Sequence, residues 1–210
     1  CAGADPQSLS VAHPAISMNE TANRLMRFDE SGAQTSYLEQ ATVAYETNGS
    51  PVFVLSDLHL AEGLREDRTY DGTENFFADE AFSRLLDHLH AGHPGSRCVL
   101  IINGDFVDFM RVRGLPQDAD LPAWQADLGR IGDSQWTVGA LRASIGAKER
   151  KFGLKTHDHK SVWRLAEVVK GHAVLFASLA TWIRRGHRLV ITRGNHDVDF
   201  YWAKVRNFLR

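Results

Sequence analysis

The sequence predicts an α/β fold. Three observations carry that expectation: three short apolar runs, a polar turn directly after each, and two helical stripes between them. The runs are Val52-Phe53-Val54-Leu55, Val99-Leu100-Ile101-Ile102 and Leu189-Val190-Ile191. Continuous β-branched runs of this kind suit strands buried on both faces of a sheet. Open α/β sheets place ligand crevices just past the C-terminal ends of their strands, so the three turns draw attention.

Composition sets few limits. The chain has 210 residues, 43% of them hydrophobic and 24% charged, with a formal net charge of -2 and a pI of about 6.6. That length allows one domain with a large core, or one domain plus an elaboration. Nothing global marks a polyanion binder. The cysteines are Cys1 and Cys98. Cys98 opens a predicted buried strand, so it reads as a small core residue rather than part of a disulfide framework. No apolar stretch reaches the length of a bilayer span; Ala173 to Ile183 is interrupted by Ser178 and Thr181. The chain starts at Cys1 and ends at Leu209-Arg210 inside an apolar helical pattern, so both ends read as cut. A cytoplasmic location is favoured over a lipoprotein anchored through Cys1.

Residues 1–50 read as a polar extension or leader, with partial alternation over Tyr37–Tyr45 that suits an edge strand. His13, before Pro14, reads as a solvated loop residue. The domain proper spans 51–210. The first apolar run leads into Ser56-Asp57-Leu58-His59-Leu60. In an extended backbone Asp57 and His59 point to one side, which makes half of a transition-metal site. The plain alternative is a capping Asp beside a surface His. A polar loop (61–75) follows, then a helix over 77–91 with a stripe of Ala78, Phe82, Leu85, Leu86 and Leu89. His88, His90 and His93 gather at its C-terminus, where the helix's partial negative charge accounts for them.

The second strand delivers Asn103-Gly104-Asp105-Phe106-Val107-Asp108 and completes a β-α-β unit. A carboxylate there can bridge two cations, although Gly-Asp turns are also ordinary turns. Residues 114–159 read as an insertion of short helices and loops, with a stripe at Leu121, Trp124, Leu128 and Ile131. His157-Asp158-His159 reads as solvated loop. Residues 161–185 form the longest regular segment, its core stripe containing a half-buried His172. The third strand delivers Arg193-Gly194-Asn195-His196-Asp197, and a last helical pattern covers Phe200–Leu209.

Asp57-Leu58-His59, Gly104-Asp105-(x2)-Asp108 and Gly194-Asn195-His196-Asp197, in this order after three apolar strands, resemble the calcineurin-like metallophosphoesterase family over residues 52–200. The resemblance implies a four-layered αββα sandwich with two mixed sheets. It implies that Asp57 and His59 hold one metal, Asp105 bridges two, and Asn195 binds the second. His196 would be the catalytic histidine, oriented by Asp197, with Asp108 supporting a ligand or touching substrate. The cofactors would be two divalent transition metal ions, drawn from Mn, Fe, Zn, Co or Ni. Such a hydrolase cleaves a phosphomonoester, phosphodiester or pyrophosphate with metal-activated hydroxide, because paired cations neutralise the anion and lower the pKa of bound water. Of Arg111, Arg113 and Arg193, Arg111 is the expected phosphate ligand, being three residues past Asp108.

One departure stands out. The family supplies further histidines downstream in a Gly-His-x-His turn, and no histidine follows Asp197 here. The metal site and second sheet are therefore expected to be incomplete, as in the N-terminal part of a longer enzyme. The expected partner is a small phosphorylated substrate rather than nucleic acid. Two other functions stay open. One is a nuclease tracking a backbone with Lys148, Arg150, Lys151 and Lys155. The other is a non-catalytic binding or regulatory protein on a degenerate scaffold. A lipid-sugar pyrophosphatase branch shares Asp-Leu-His-Leu but often has Arg in place of His196, which counts against it.

Overall fold

Three parallel strands form the sheet of the computed structural model, which describes residues 49–65, 67–70 and 72–210. They are β1 (Val52–Leu55), β2 (Val99–Asn103) and β3 (Arg188–Thr192), in the order β1-β2-β3. Val54 pairs with Ile101 and Ile101 with Val190, so alternate positions across all three strands share a face. Phe53, Leu55, Leu100, Ile102, Leu189 and Ile191 point to one face, and all belong to or pack on the main core.

β1 departs from the expectation of a strand buried on both faces. Among the described residues it is an edge strand, and Val52 and Val54 on its second face are 38% and 59% exposed. An unbroken apolar run identifies a strand, but burial depends on what covers each face, and that is not local information.

The crossover from β1 to β2 carries α1 (Asp79–Ala91), which starts two residues later than its pattern suggests. Phe82 and Leu86 are its buried residues, whereas Leu85 is exposed, so the stripe is narrower than expected. Asp79 and Glu80 lie in its first turn and His88 and His90 in its last, as the helix dipole favours.

Between β2 and β3 the chain forms α2 (Leu121–Arg130), α3 (Val138–Ser144), α4 (Ala147–Phe152), α5 (Asp158–Gly171) and α6 (Ala173–Arg184). Pro122 sits in the first turn of α2, where its missing N–H costs nothing. Thr137 caps α3 by accepting from Ala140 N at 3.1 Å. Leu121, Trp124, Leu128 and Leu141 share one buried cluster with Leu100 and Phe106.

Two sequence expectations fail in this stretch. His157-Asp158-His159 is the start of α5 rather than a solvated loop, with His159 buried and stacked on Trp136 at 4.1 Å. The segment 161–185 is two helices, broken at His172, whose φ and ψ are -111° and 38°. Gly171 is a poor helix former, its carbonyl accepts from Leu64 N at 2.9 Å, and the His172 ring is held by two carboxylates. The closing helical pattern also divides, into a 3-10 turn over Val198–Tyr201 and α7 (Ala203–Phe208).

The described residues thus form a mixed α/β structure with a small parallel sheet and seven α-helices. The expected edge strand at Tyr37–Tyr45 lies outside them. None of the described helices is long and apolar enough to cross a membrane.

Candidate metal centre

All three polar turns leave the C-terminal edge of the sheet, so parallel pairing brings them side by side. The turn after β1 is stitched to the turn after β2 by backbone bonds. Asp57 N donates to Gly104 O at 3.3 Å, His59 N to Asp105 O at 2.8 Å and Leu60 N to Phe106 O at 3.0 Å. Asp108 N returns one to Leu60 O at 2.9 Å.

The backbone there is not extended, contrary to the sequence expectation. Asp57, His59 and Asp105 have φ of 56°, 49° and 50°, in the left-handed region. Asp and His enter that region more readily than most residues, and such strain gathers at functional sites where the surroundings enforce it. The bonds just described are that enforcement. Gly104 also has positive φ, 79°, and Gly194 from the third turn lies against it. A Cβ on Gly194 would stand 2.0 Å from Asp105 Oδ1, so only glycine admits the carboxylate in this position.

One ligand atom each from His59, Asp105 and His196 lie within 4.8 Å of one another. His59 Nε2 is 3.8 Å from Asp57 Oδ1 and 3.9 Å from Asp105 Oδ2. Its Nδ1 is buried without a hydrogen-bond partner among the described residues, 3.7 Å from Asp108 Oδ2. The His59 and His196 rings meet edge to face with centroids 4.7 Å apart. His196 N donates to Asp105 Oδ1 at 2.9 Å, which ties the third turn to the second.

Asp108, only 1% exposed, is the hub. Its Oδ2 lies 2.9 Å from His196 Nδ1 and 3.0 Å from Arg111 Nε, and its Oδ1 accepts from Met110 N at 3.2 Å. The hydrogen-bond partner of the His196 ring is therefore Asp108, where the sequence reading had Asp197. Asp197 is fully buried and accepts instead from Phe106 N at 3.0 Å and Gly194 N at 2.5 Å. Burial pushes its carboxyl above the ordinary range, against those two donors, and the neighbouring Asp105 adds to the rise. Its work is to close the third turn onto the second.

Two expected site residues stand further out. The Asp57 side chain is 66% exposed and meets the group only at its edge, through His59. Asn195 is exposed in the same turn as His196 and makes no hydrogen bond to a described residue. Arg111 is held rather than free: besides Asp108, its Nη1 donates to Thr73 O at 3.4 Å, and Thr73 Oγ1 donates to Arg111 O at 2.9 Å. Arg193 lies over the Tyr201 ring at 3.5 Å, and the Arg113 side chain is exposed.

A second polar group, which the motifs did not announce, braces the loop after His59. Buried His172 places Nδ1 2.8 Å from Asp79 Oδ1 and Nε2 3.1 Å from Glu74 Oε2. Burial opposes charge on this ring, but the two carboxylates prevail and raise its pKa to about 9. Glu74 is drawn down to about 2, against its own burial, by His172 and by the N–H groups of Phe76 and Gly63. Because Glu74 also accepts from Ala61 N, the group anchors the chain directly beyond Leu60. The only sequence signal for it was a histidine in an otherwise apolar helical stripe.

Mixed imidazole and carboxylate donors of this kind fit a borderline transition metal ion better than calcium. The Nδ1 of His59, buried and without a partner among the described residues, is the kind of orphan that a bound group would satisfy. Compared with models of known protein families, with curated proteins and with solved structures, the chain matches none of them.

Proposed function

We propose that this chain carries the metal site of a hydrolase of phosphate esters or anhydrides, of the calcineurin-like metallophosphoesterase type. The observation that supports the reading is that two proposed ligands, His59 and Asp105, meet the proposed proton donor, His196, from three different strand ends, with one nitrogen or oxygen of each within 4.8 Å of the others. A surface cluster of acids would not need three separate chain segments, left-handed backbone at two of the three residues and a glycine shaved to fit Asp105.

In this reading Asp57, His59, Asp105 and Asn195 would hold two divalent transition metal ions, which when bound would supply charge neutralisation of the phosphate and a low-pKa water. The chain's own residues do the rest. Asp105 keeps its orientation by accepting from His196 N. His196 turns Nδ1 toward Asp108, which leaves Nε2 to donate a proton to the departing oxygen. Asp108 fixes the ring and, when both ring nitrogens carry protons, accepts from its Nδ1. Arg111, held at Nε by Asp108, has guanidinium N–H groups left over for phosphate oxygens.

Titrating the chain with Mn²⁺ or Zn²⁺ by calorimetry, with hydrolysis of an aryl phosphate followed in parallel, tests this. Saturable metal binding that Asp105→Asn weakens at least tenfold is the expected result. No metal binding by a folded chain overturns the proposal. Metal binding without hydrolysis supports the non-catalytic alternative instead.

A further inference from the structure

The opposite, N-terminal edge of the sheet holds a second histidine pair. His187 directly precedes β3, Cys98 directly precedes β2, and His90 lies in the last turn of α1. Cys98 N donates to His187 Nδ1 at 3.1 Å. A backbone amide can only donate, so this nitrogen carries no proton. Neutral His187 therefore carries its proton on Nε2, which lies 2.9 Å from His90 Nδ1. His90 Nδ1 must then accept, so it too is bare.

We propose that this relay, from Cys98 N–H to His187 and on to His90, is an acid-released latch that joins the end of α1 to the starts of β2 and β3 only while both imidazoles are neutral. The rule is one of parity. A proton added to His187 Nδ1 faces the Cys98 N–H, and a proton added to His90 Nδ1 faces the His187 Nε2–H. Either event sets donor against donor and breaks one link.

The surroundings offer no compensation. His187 is buried, and the Trp182 ring lies over it at 4.2 Å, with Trp182 Nε1 donating to Arg188 O. Arg185 approaches from the end of α6, already paired with Asp87 of α1 at 2.7 Å. The Cys98 thiol is buried and pushed up by that burial. His93 of the same turn is turned to Leu89 O at 2.9 Å and toward Phe53. Among the described residues no carboxylate hydrogen-bonds either imidazole of the pair. Burial, with the nearby His90 and Arg185, holds His187 below the ordinary histidine range.

The same site is unsuited to a metal. An ion on His187 Nε2 would leave the proton of a neutral ring on Nδ1, against the Cys98 amide. The sign of the pH effect follows. The folded chain binds fewer protons here than the unfolded one, so the latch's contribution is complete above about pH 6.5 and is lost as pH falls below it. Release loosens the end of α1 without touching any ligand at the other edge of the sheet.

Long-range ¹H–¹⁵N spectra of the whole labelled chain, from about pH 8 to about pH 5, test the latch. The expected result is a His187 ring with bare Nδ1 and protonated Nε2, taking up a second proton only below the ordinary histidine range. That step should coincide with amide exchange at least tenfold faster at Cys98 and in the last turn of α1. A His187 ring protonated on Nδ1 at neutral pH, or one that titrates with no change at the Cys98 amide, overturns the proposal. As an independent reading, His187→Gln should show a smaller loss of Tm than the unaltered chain between about pH 7.5 and pH 5.5. Equal losses also overturn it.

Discussion

Asp108 Oδ2 lies 2.9 Å from His196 Nδ1. The carboxylate is buried and held by the second turn, and the imidazole is half-exposed on the third, so this one bond aligns two strand ends. It also separates two jobs that adjacent acids could have shared. Asp108 faces the histidine ring, and Asp197 faces the backbone.

Asp108→Asn keeps the shape of that contact and removes its charge. Under the proposed function, turnover of an aryl phosphate should fall by roughly 10²-fold to 10⁴-fold, the range typical of a disabled proton donor. Metal content should change little, because Asp108 is not among the proposed ligands. Asp105→Asn should lower both. Steady-state kinetics beside elemental analysis separate the two variants, and matched metal losses would show the assignment of Asp105 and Asp108 to be wrong.

Gly194→Ala probes the fit of the third turn. The added Cβ would lie 2.0 Å from Asp105 Oδ1 and 2.6 Å from Asp105 N, so the carboxylate and its turn must both move. Metal affinity should drop at least tenfold while the far-ultraviolet spectrum stays near that of the unaltered chain. Unchanged affinity in calorimetry would mean that Asp105 binds in some other position.

How much of this was legible in the sequence depends on the range of the interaction. The strands and the order of the three turns follow from short apolar runs and adjacent polar residues, and the choice of His196 follows from the resemblance that the three turns carry. What failed was long-range. Val52 and Val54 look buried because nothing local says that β1 is the outer strand of the described sheet. Residues 161–185 look like one helix because the carboxylates that draw out His172 come from Glu74 and Asp79, about a hundred residues earlier. The resemblance pairs His196 with Asp197, whereas the hydrogen bond to its ring comes from Asp108, in the turn after β2.

His172 makes stability fall at alkaline pH. Its folded pKa, about 9, is above the ordinary value near 6.5, so the folded chain binds the extra proton more tightly. The stabilisation is complete below about pH 6.5 and is lost as pH rises through about 9, a difference of order 3 kcal/mol at most. Urea unfolding at several pH values should show this decline. His172→Gln should flatten it, and an identical slope in the variant would remove His172 as the cause.

The ion pair of Lys160 and Glu149 yields the last prediction. Their side chains are each 4% exposed and lie 2.6 Å apart. Lys160 Nζ also donates to Ser144 O at 2.8 Å, so α5 is tied to the ends of both α3 and α4. Burial opposes ionisation of Glu149, yet the bond to Lys160 and the amides of Gly146 and Lys155 bring its pKa down to about 2. Lys160→Met keeps the length of the side chain and removes its charge, leaving a buried carboxylate short of its cation. The loss should be about 3–5 kcal/mol in urea unfolding, the range for breaking a buried pair from one side. Adding Glu149→Gln should recover part of it, because the second change removes the stranded charge while its amide oxygen can still accept from a backbone N–H. Recovery should stay incomplete, since one amide oxygen replaces two carboxylate oxygens that serve Gly146 and Lys155 separately. A double variant no more stable than Lys160→Met alone would show that Glu149 matters for its backbone bonds and not for its charge.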